Sequence, residues 1–132
     1  MAESTVADIM TTPALTVDPE TPFSDVADAM LEERIKSIAV IDDDCNPIGI
    51  LTSTDFIEVV SDETTIASQT VGDYMTTEIE TIRRGRPVEV AAEKMLACGI
   101  SHLPVMSDGD VVGIVTATDI TRHLARGNDS RP

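Results

Sequence analysis

Apolar positions change period along the chain, and the changes mark out its elements. Phe23, Val26, Ala27, Met30 and Leu31 fall at i, i+3, i+4, i+7 and i+8, the stripe that an amphipathic helix turns toward a core. Pro22 suits the first turn of that helix, where its missing N–H has no helical partner to lose. Ala91, Met95 and Leu96 occupy the same stripe of a second helix after Pro87, and Gly99 is placed to cap it. Each helix follows a short apolar turn, Val6 to Met10 or Val71 to Met75, and a brief extended piece, Thr16-Val17 or Thr81-Ile82. Ile38 to Ile41 and Leu103 to Met106 are short, uniformly apolar runs and read as buried strands. Asp-Asp-Asp-Cys-Asn-Pro and Ser-Asp-Gly-Asp turns separate them from further strands, Ile48 to Thr52 and Val111 to Thr116. A last helix begins near Thr54 and near Thr118, the second ending around Arg126-Gly127.

The order β-α-β-β-α thus occurs twice, and the residues repeat with it. Val6-Ala-Asp-Ile-Met-Thr-Thr12 recurs as Val71-Gly-Asp-Tyr-Met-Thr-Thr77, and the register carries on through Pro22 and Pro87, Met30 and Met95, Val40 and Val105. One residue is lost in the second hairpin turn, after which Gly49-Ile-Leu-Thr-Ser-Thr-Asp55 matches Gly113-Ile-Val-Thr-Ala-Thr-Asp119. Unrelated segments do not hold such a register, so the chain is a tandem duplication of 6–60 and 71–126. Residues 61–70 form a polar linker, and the tail 127–132 is expected to be mobile. One repeat of about 55 residues buries little alone. The expected fold is therefore α/β (α+β), with two β-α-β-β-α repeats packed sheet to sheet about a pseudo-twofold axis.

Charge narrows the function classes. With 24 acidic against 9 basic residues the chain carries −15, and only Lys36 and Lys94 are lysines. Nucleic acid is an unsuitable partner, since its affinity comes mainly from cations meeting phosphates. An excess of carboxylates repels itself in dilute salt and is screened in concentrated salt, which points to a salt-rich cytoplasm such as that of a halophilic archaeon. No apolar run approaches the roughly 18 residues of a membrane helix, and the start lacks a signal sequence, so a cytoplasmic location is expected.

Catalytic and metal motifs are scarce. Cys45, Cys98, His102 and His123 stand at no zinc-ligand spacing, and the two cysteines are expected to be buried thiols. No GxGxxG or GxxxxGK[ST] loop exists, and no nucleophile-histidine-acid grouping can be assembled. The notable segments are Thr52-Ser53-Thr54-Asp55 and Thr116-Ala117-Thr118-Asp119, each where a strand passes into a helix. Open N–H groups there suit a phosphate or ribose, and an ionised Asp can accept from both hydroxyls of a vicinal diol. The same pattern is also a capping box, needing no ligand. His102, just before a buried strand, and the Arg83-Arg84-Gly85-Arg86 cluster are further candidates for phosphate contact, or are simply solvated. Asp42-Asp43-Asp44 lacks the spacing of a calcium loop and reads as a hairpin turn.

Two copies of V-x-D-x-M-T-T, a Pro-started helix and G-I-[LV]-T-x-T-D make the chain resemble a tandem pair of CBS domains, also called a Bateman module, over residues 6–126. The resemblance implies a regulatory module, not an enzyme, that binds adenosine-containing ligands (AMP, ADP, ATP, S-adenosylmethionine or NAD, with Mg²⁺ able to bridge phosphates) and signals to a separate partner. It implies two clefts. One combines Thr52, Thr54 and Asp55 with Thr77, Ile79, His102, Leu103 and Pro104; the other combines Thr116, Thr118 and Asp119 with Thr12, Ala14, Ser37, Ile38 and Ala39. Asp55 and Asp119 would be the ribose-binding carboxylates. Ile38-Ala39-Val40 departs from the pattern in lacking the Pro of Leu103-Pro104-Val105. Family enzymes such as inosine monophosphate dehydrogenase carry a catalytic barrel of roughly 250 residues, for which there is no room here. A ligand-independent oligomerisation or scaffold module is the alternative. The apolar faces of the late helices (Phe56, Val59, Val60; Ile120, Leu124) point to a homodimer.

Overall fold

The computed structural model describes residues 4–12, 14–61 and 69–129, which fall into two compact units. The first is Leu15–Ile79; the second joins Met1–Ala14 to Glu80–Pro132. The leading turn of each sequence repeat is thereby exchanged: α1 (Val6–Ile9) folds with the strands of the second repeat, and α4 (Val71–Tyr74) with those of the first.

In the first unit β1 (Thr16–Val17), α2 (Phe23–Glu33), β2 (Ser37–Ile41), β3 (Pro47–Thr52) and α3 (Ser53–Ser61) precede α4. The sheet order is β1-β2-β3, with β1 parallel to β2 and β3 antiparallel to it. The second unit repeats this with β4 (Ile82–Arg83), α5 (Val88–Cys98), β5 (His102–Ser107), β6 (Asp110–Thr116) and α6 (Ala117–Asp129), in the order β4-β5-β6. A helix between parallel strands and a tight turn between antiparallel ones is what the alternating pattern requires. The architecture is mixed α+β, as expected.

Phe23, Val26 and Met30 of α2 are buried against Ile38, Val40 and Leu51, and Val71 of α4 completes that core. Phe56 and Tyr74 flank Phe23, with ring centroids 4.3 and 5.5 Å away, so all three aromatics of the chain share one unit. The second core has no aromatic: Val6, Ile82, Ala91, Met95, Leu103, Val105 and Val115 form it. Leu31 and Leu96, expected on the buried stripes, are instead 79% and 85% exposed. At 100° per residue Leu31 lies about 80° round from Phe23 and about 140° from Val26, beyond the face the sheet covers. The cysteines also differ from expectation, since both are exposed. Cys45 occupies the β2–β3 turn at φ 68°, and Cys98 is the last residue of α5.

The helix ends differ between copies. Gly99 caps α5 at φ 65° as expected, but the equivalent left-handed position after α2 is Arg34, at φ 55°. Helix α6 continues past Arg126-Gly127 to Asp129, with Gly127 tolerated inside it at a cost of about 1 kcal/mol relative to Ala. Most of the expected 61–70 linker and the tail from residue 130 lie outside the described residues.

Candidate functional site

Each strand-to-helix junction is held in place by a single bridge to the free edge of its sheet. After α4, Thr76 exchanges both backbone hydrogen bonds with Ile50 of β3 (3.0 and 2.9 Å); after α1, Thr11 does so with Ile114 of β6 (2.8 and 3.1 Å). The bridges demand glycine beside them. A Cβ on Gly49 would stand 2.6 Å from Met75 Sδ and 3.1 Å from the Thr76 carbonyl oxygen, and one on Gly113 2.6 Å from Met10 Sδ and 3.0 Å from the Thr11 carbonyl oxygen. The repeated glycine and the Met-Thr-Thr segment are thus one device, bringing a pair of threonines alongside the end of β3 or β6.

At the β3–α3 junction Asp55 Oδ2 accepts the Thr52 N–H (2.7 Å) and the Thr52 hydroxyl (3.3 Å), and the Ser53 N–H goes to the Lys36 carbonyl (3.0 Å). At the β6–α6 junction the bonding is reciprocal. Thr116 N–H donates to Asp119 Oδ2 (2.9 Å), Asp119 N–H donates to Thr116 Oγ1 (3.1 Å), and Ala117 N–H donates to the Ser101 carbonyl (3.0 Å). Both carboxylates therefore cap their helices. Capping does not exhaust them, because a carboxylate offers about four lone-pair sites and the cap occupies one oxygen. Asp55 is half-buried, and its Oδ1 accepts nothing among the described residues.

Asp119 is more enclosed, at 6% exposure, and has further partners. The Thr11 hydroxyl donates to it (3.3 and 3.4 Å), and an Arg122 guanidinium nitrogen lies 3.6 Å from Oδ1. Thr11 was legible only as half of a doubled threonine of which Thr12 was the expected member. The Arg122 contact is signalled by its i+3 spacing from Asp119 on a helix. No corresponding bond from Thr76 to Asp55 exists among the described residues.

The first unit contains Thr52, Thr54, Asp55, Thr77 and Ile79, and Ser37, Ile38 and Ala39 lie there too, Ser37 opposite Thr52 in the β2–β3 ladder. The second unit contains Thr116, Thr118, Asp119, Thr12 and Ala14, with His102 opposite Thr116 and Pro104 opposite Ile114. Thr12, Thr54, Thr77 and Thr118 are exposed, His102 is half-buried, and Ser37, Ile38, Ala39, Leu103 and Pro104 are buried. Each implied set thus takes some members from one unit and some from the other.

The remaining candidates resolve into structure. Carbonyls of Arg84 and Arg86 accept the N–H groups of Ala7 (2.9 Å) and Val6 (2.8 Å), so the arginine loop anchors α1 while its side chains are exposed. Asp42 Oδ1 accepts the N–H groups of Asn46 and Asp44 (both 2.9 Å) inside the hairpin turn. The Asn46 bond, ahead of the others, holds its carboxyl below the usual range. Among the described residues no group of His, Cys, Asp and Glu is arranged to hold a metal, and no helix is long and apolar enough to cross a membrane.

Comparison with known proteins agrees with this architecture. The solved CBS domain pair of protein MJ0100, in complex with 5′-methylthioadenosine and S-adenosyl-L-methionine, superposes with a TM-score of 0.85 at 28% identity, covering 96% of this chain and 99% of that one. A homoserine O-acetyltransferase of Methanohalobium evestigatum is 32% identical over 125 residues, 94% of this chain but 25% of the enzyme, so the chain spans about a quarter of that relative's length. An uncharacterized 17.7 kDa protein of Acidianus ambivalens is 32% identical over 120 residues, 90% of this chain and 72% of that protein. The family model for the CBS domain matches twice, over residues 6–62 and 71–126, and the chain belongs to the CBS domain family as a tandem pair.

Proposed function

We propose that this chain is a regulatory module without catalysis of its own, which takes an adenosine-containing ligand at its strand-to-helix junctions and passes occupancy to a separate protein. The observation that carries the reading is the chemistry repeated at Asp55 and Asp119. Each junction sets a carboxylate with spare acceptor capacity beside threonine hydroxyls and a helix N-terminus, donors and acceptors suited to a ribose diol and a phosphate. Support comes from the MJ0100 pair, which holds two adenosine derivatives on the same fold. The enzymes of which a matching stretch makes up about a quarter support a module that serves a catalytic partner. AMP, ADP, ATP, S-adenosylmethionine and NAD are the candidate ligands, Asp55 and Asp119 their ribose acceptors, and Mg²⁺ would accompany only the polyphosphates.

A second reading, a ligand-independent scaffold, is favoured by one observation: both carboxylates are already useful as helix caps. Titration calorimetry of the full chain with the five ligands separates the two. Saturable heat with at least one adenosine ligand, and none with its cytidine counterpart, supports the sensor. Absence of heat with every ligand leaves the scaffold.

A further inference from the structure

The second unit contains a cavity of about 340 Å³ between α1 and α6. On one side it is lined by Asp8 and Thr11; on the other by Asp119, Arg122, His123 and Arg126. The last four fall at i, i+3, i+4 and i+7, one face of α6. In a chain with 9 basic and 24 acidic residues, two arginines and a histidine thus share one helix face over one cavity.

Each acid in the cavity has local donors beside it. Asp8 Oδ2 accepts the N–H and hydroxyl of Thr5 (2.8 and 3.2 Å), closing the first turn of α1, and Asp119 is held by Thr116, Thr11 and Arg122. Arg122 makes a single long contact, and Arg126 and His123 have no carboxylate partner among the described residues. Duplication supplies an internal control. Continuing the match of Asp55 with Asp119, Arg122 corresponds to Glu58, His123 to Val59 and Arg126 to Asp62 in the sequence. Both arginine positions carry the opposite charge in the other copy, so the cationic face is not a requirement of the fold.

We propose that this cavity is an oxyanion site for a phosphoryl group, present in the second unit only. A guanidinium presents N–H donors in a fork that matches two phosphate oxygens, and a ring N–H of His123 adds a donor from the same helix face. Free phosphate or pyrophosphate and the phosphates of a nucleotide share this chemistry. The nucleotide as source rests on the adenosine reading above, with Asp119 common to junction and cavity.

Calorimetry of the full chain in about 0.5 M KCl, free of sulfate, with adenosine, AMP, ADP, ATP and pyrophosphate, compares wild type with Arg126→Gln. Arg126 is exposed and unpaired among the described residues, so the variant folds, as an unchanged melting temperature checks. Loss of one charge-assisted pair is expected to weaken every phosphorylated ligand roughly tenfold or more while leaving adenosine unchanged. Pyrophosphate binding that depends on Arg126 alongside silent adenosine upholds the anion site and rejects the nucleoside reading. Nucleotides that bind no tighter than adenosine, or that bind Arg126→Gln as well as wild type, overturn the anion site and leave the nucleoside reading standing.

Discussion

Gly113→Ala is the sharpest probe of how the fold places the Asp119 junction. The added methyl group would sit 2.6 Å from Met10 Sδ, 3.0 Å from Met10 Cγ and 3.0 Å from the Thr11 carbonyl oxygen. Met10 is flexible and can swing aside; the Thr11 carbonyl cannot, because it accepts the Ile114 N–H at 3.1 Å. Relief must come by moving the Met10-Thr11 segment off β6, and overpacking of this kind costs about 1–3 kcal/mol. For a chain of 132 residues that is roughly 4–10 °C in melting temperature. The shift also draws the Thr11 hydroxyl from Asp119, so ligand binding at that junction should weaken with stability. Urea denaturation at fixed KCl measures the cost, and the double variant Met10→Ala with Gly113→Ala recovers the part due to the sulfur contact, leaving the carbonyl part. A Gly113→Ala protein within about 0.5 kcal/mol of wild type, or a double variant as stable as Met10→Ala alone, would refute the reasoning.

Three further outcomes follow from charge and exposure. With −15 on the chain, the melting temperature should rise steeply between about 0.1 and 2 M KCl; equal values would show that the acidic surface is no salt adaptation, and below about 0.1 M AMP should gain over ATP unless Mg²⁺ is present. Ile57 and Leu124 of the late helices are 67% and 63% exposed and Leu31 and Leu96 more so, which favours a homodimer; sedimentation in molar salt should show it, and a strict monomer at micromolar concentration would remove the idea. Asp42 is held below its usual pKa by the Asn46 and Asp44 N–H groups, so its stabilisation of the hairpin is present above the unfolded value and is lost as pH falls through the folded one. Asp42→Ala should therefore melt below wild type at pH 7, and the gap should begin to close only as pH falls below about 3.8; a gap that stays constant into strong acid would contradict the linkage.

The repeats, the strands and the four longer helices were legible in the sequence because periodicity and register report local geometry directly, whereas Val6–Met10 and Val71–Met75, read as short apolar turns, contain the one-turn helices α1 and α4. Burial on a single helix face was less so: Ala27 and Leu31 share a stripe with Phe23 by spacing, but only the neighbouring sheet decides how wide a face is covered. Phe56 and Ile120, read as open faces of the late helices, pack on their own cores, whereas Ile57, one residue along, is exposed. The exchange of α1 and α4 between repeats left no local trace, since the Thr11–Ile114 and Thr76–Ile50 bridges join segments far apart in sequence. Arg122 and Arg126 escaped notice for a different reason: as scattered charges on a polar helix they gain meaning only once α1 closes a cavity over them.

Asp55→Asn and Asp119→Asn test the central claim most directly, because the amide oxygen still accepts the capping N–H while the charged diol acceptor is gone. Calorimetric titration of wild type and both variants in molar KCl with S-adenosylmethionine, 5′-methylthioadenosine, AMP and ATP is expected to show one binding event lost or weakened about ten- to a hundredfold in each variant, with melting temperatures little changed. Wild-type affinity retained in both variants would contradict ribose recognition by these residues and leave them as helix caps alone.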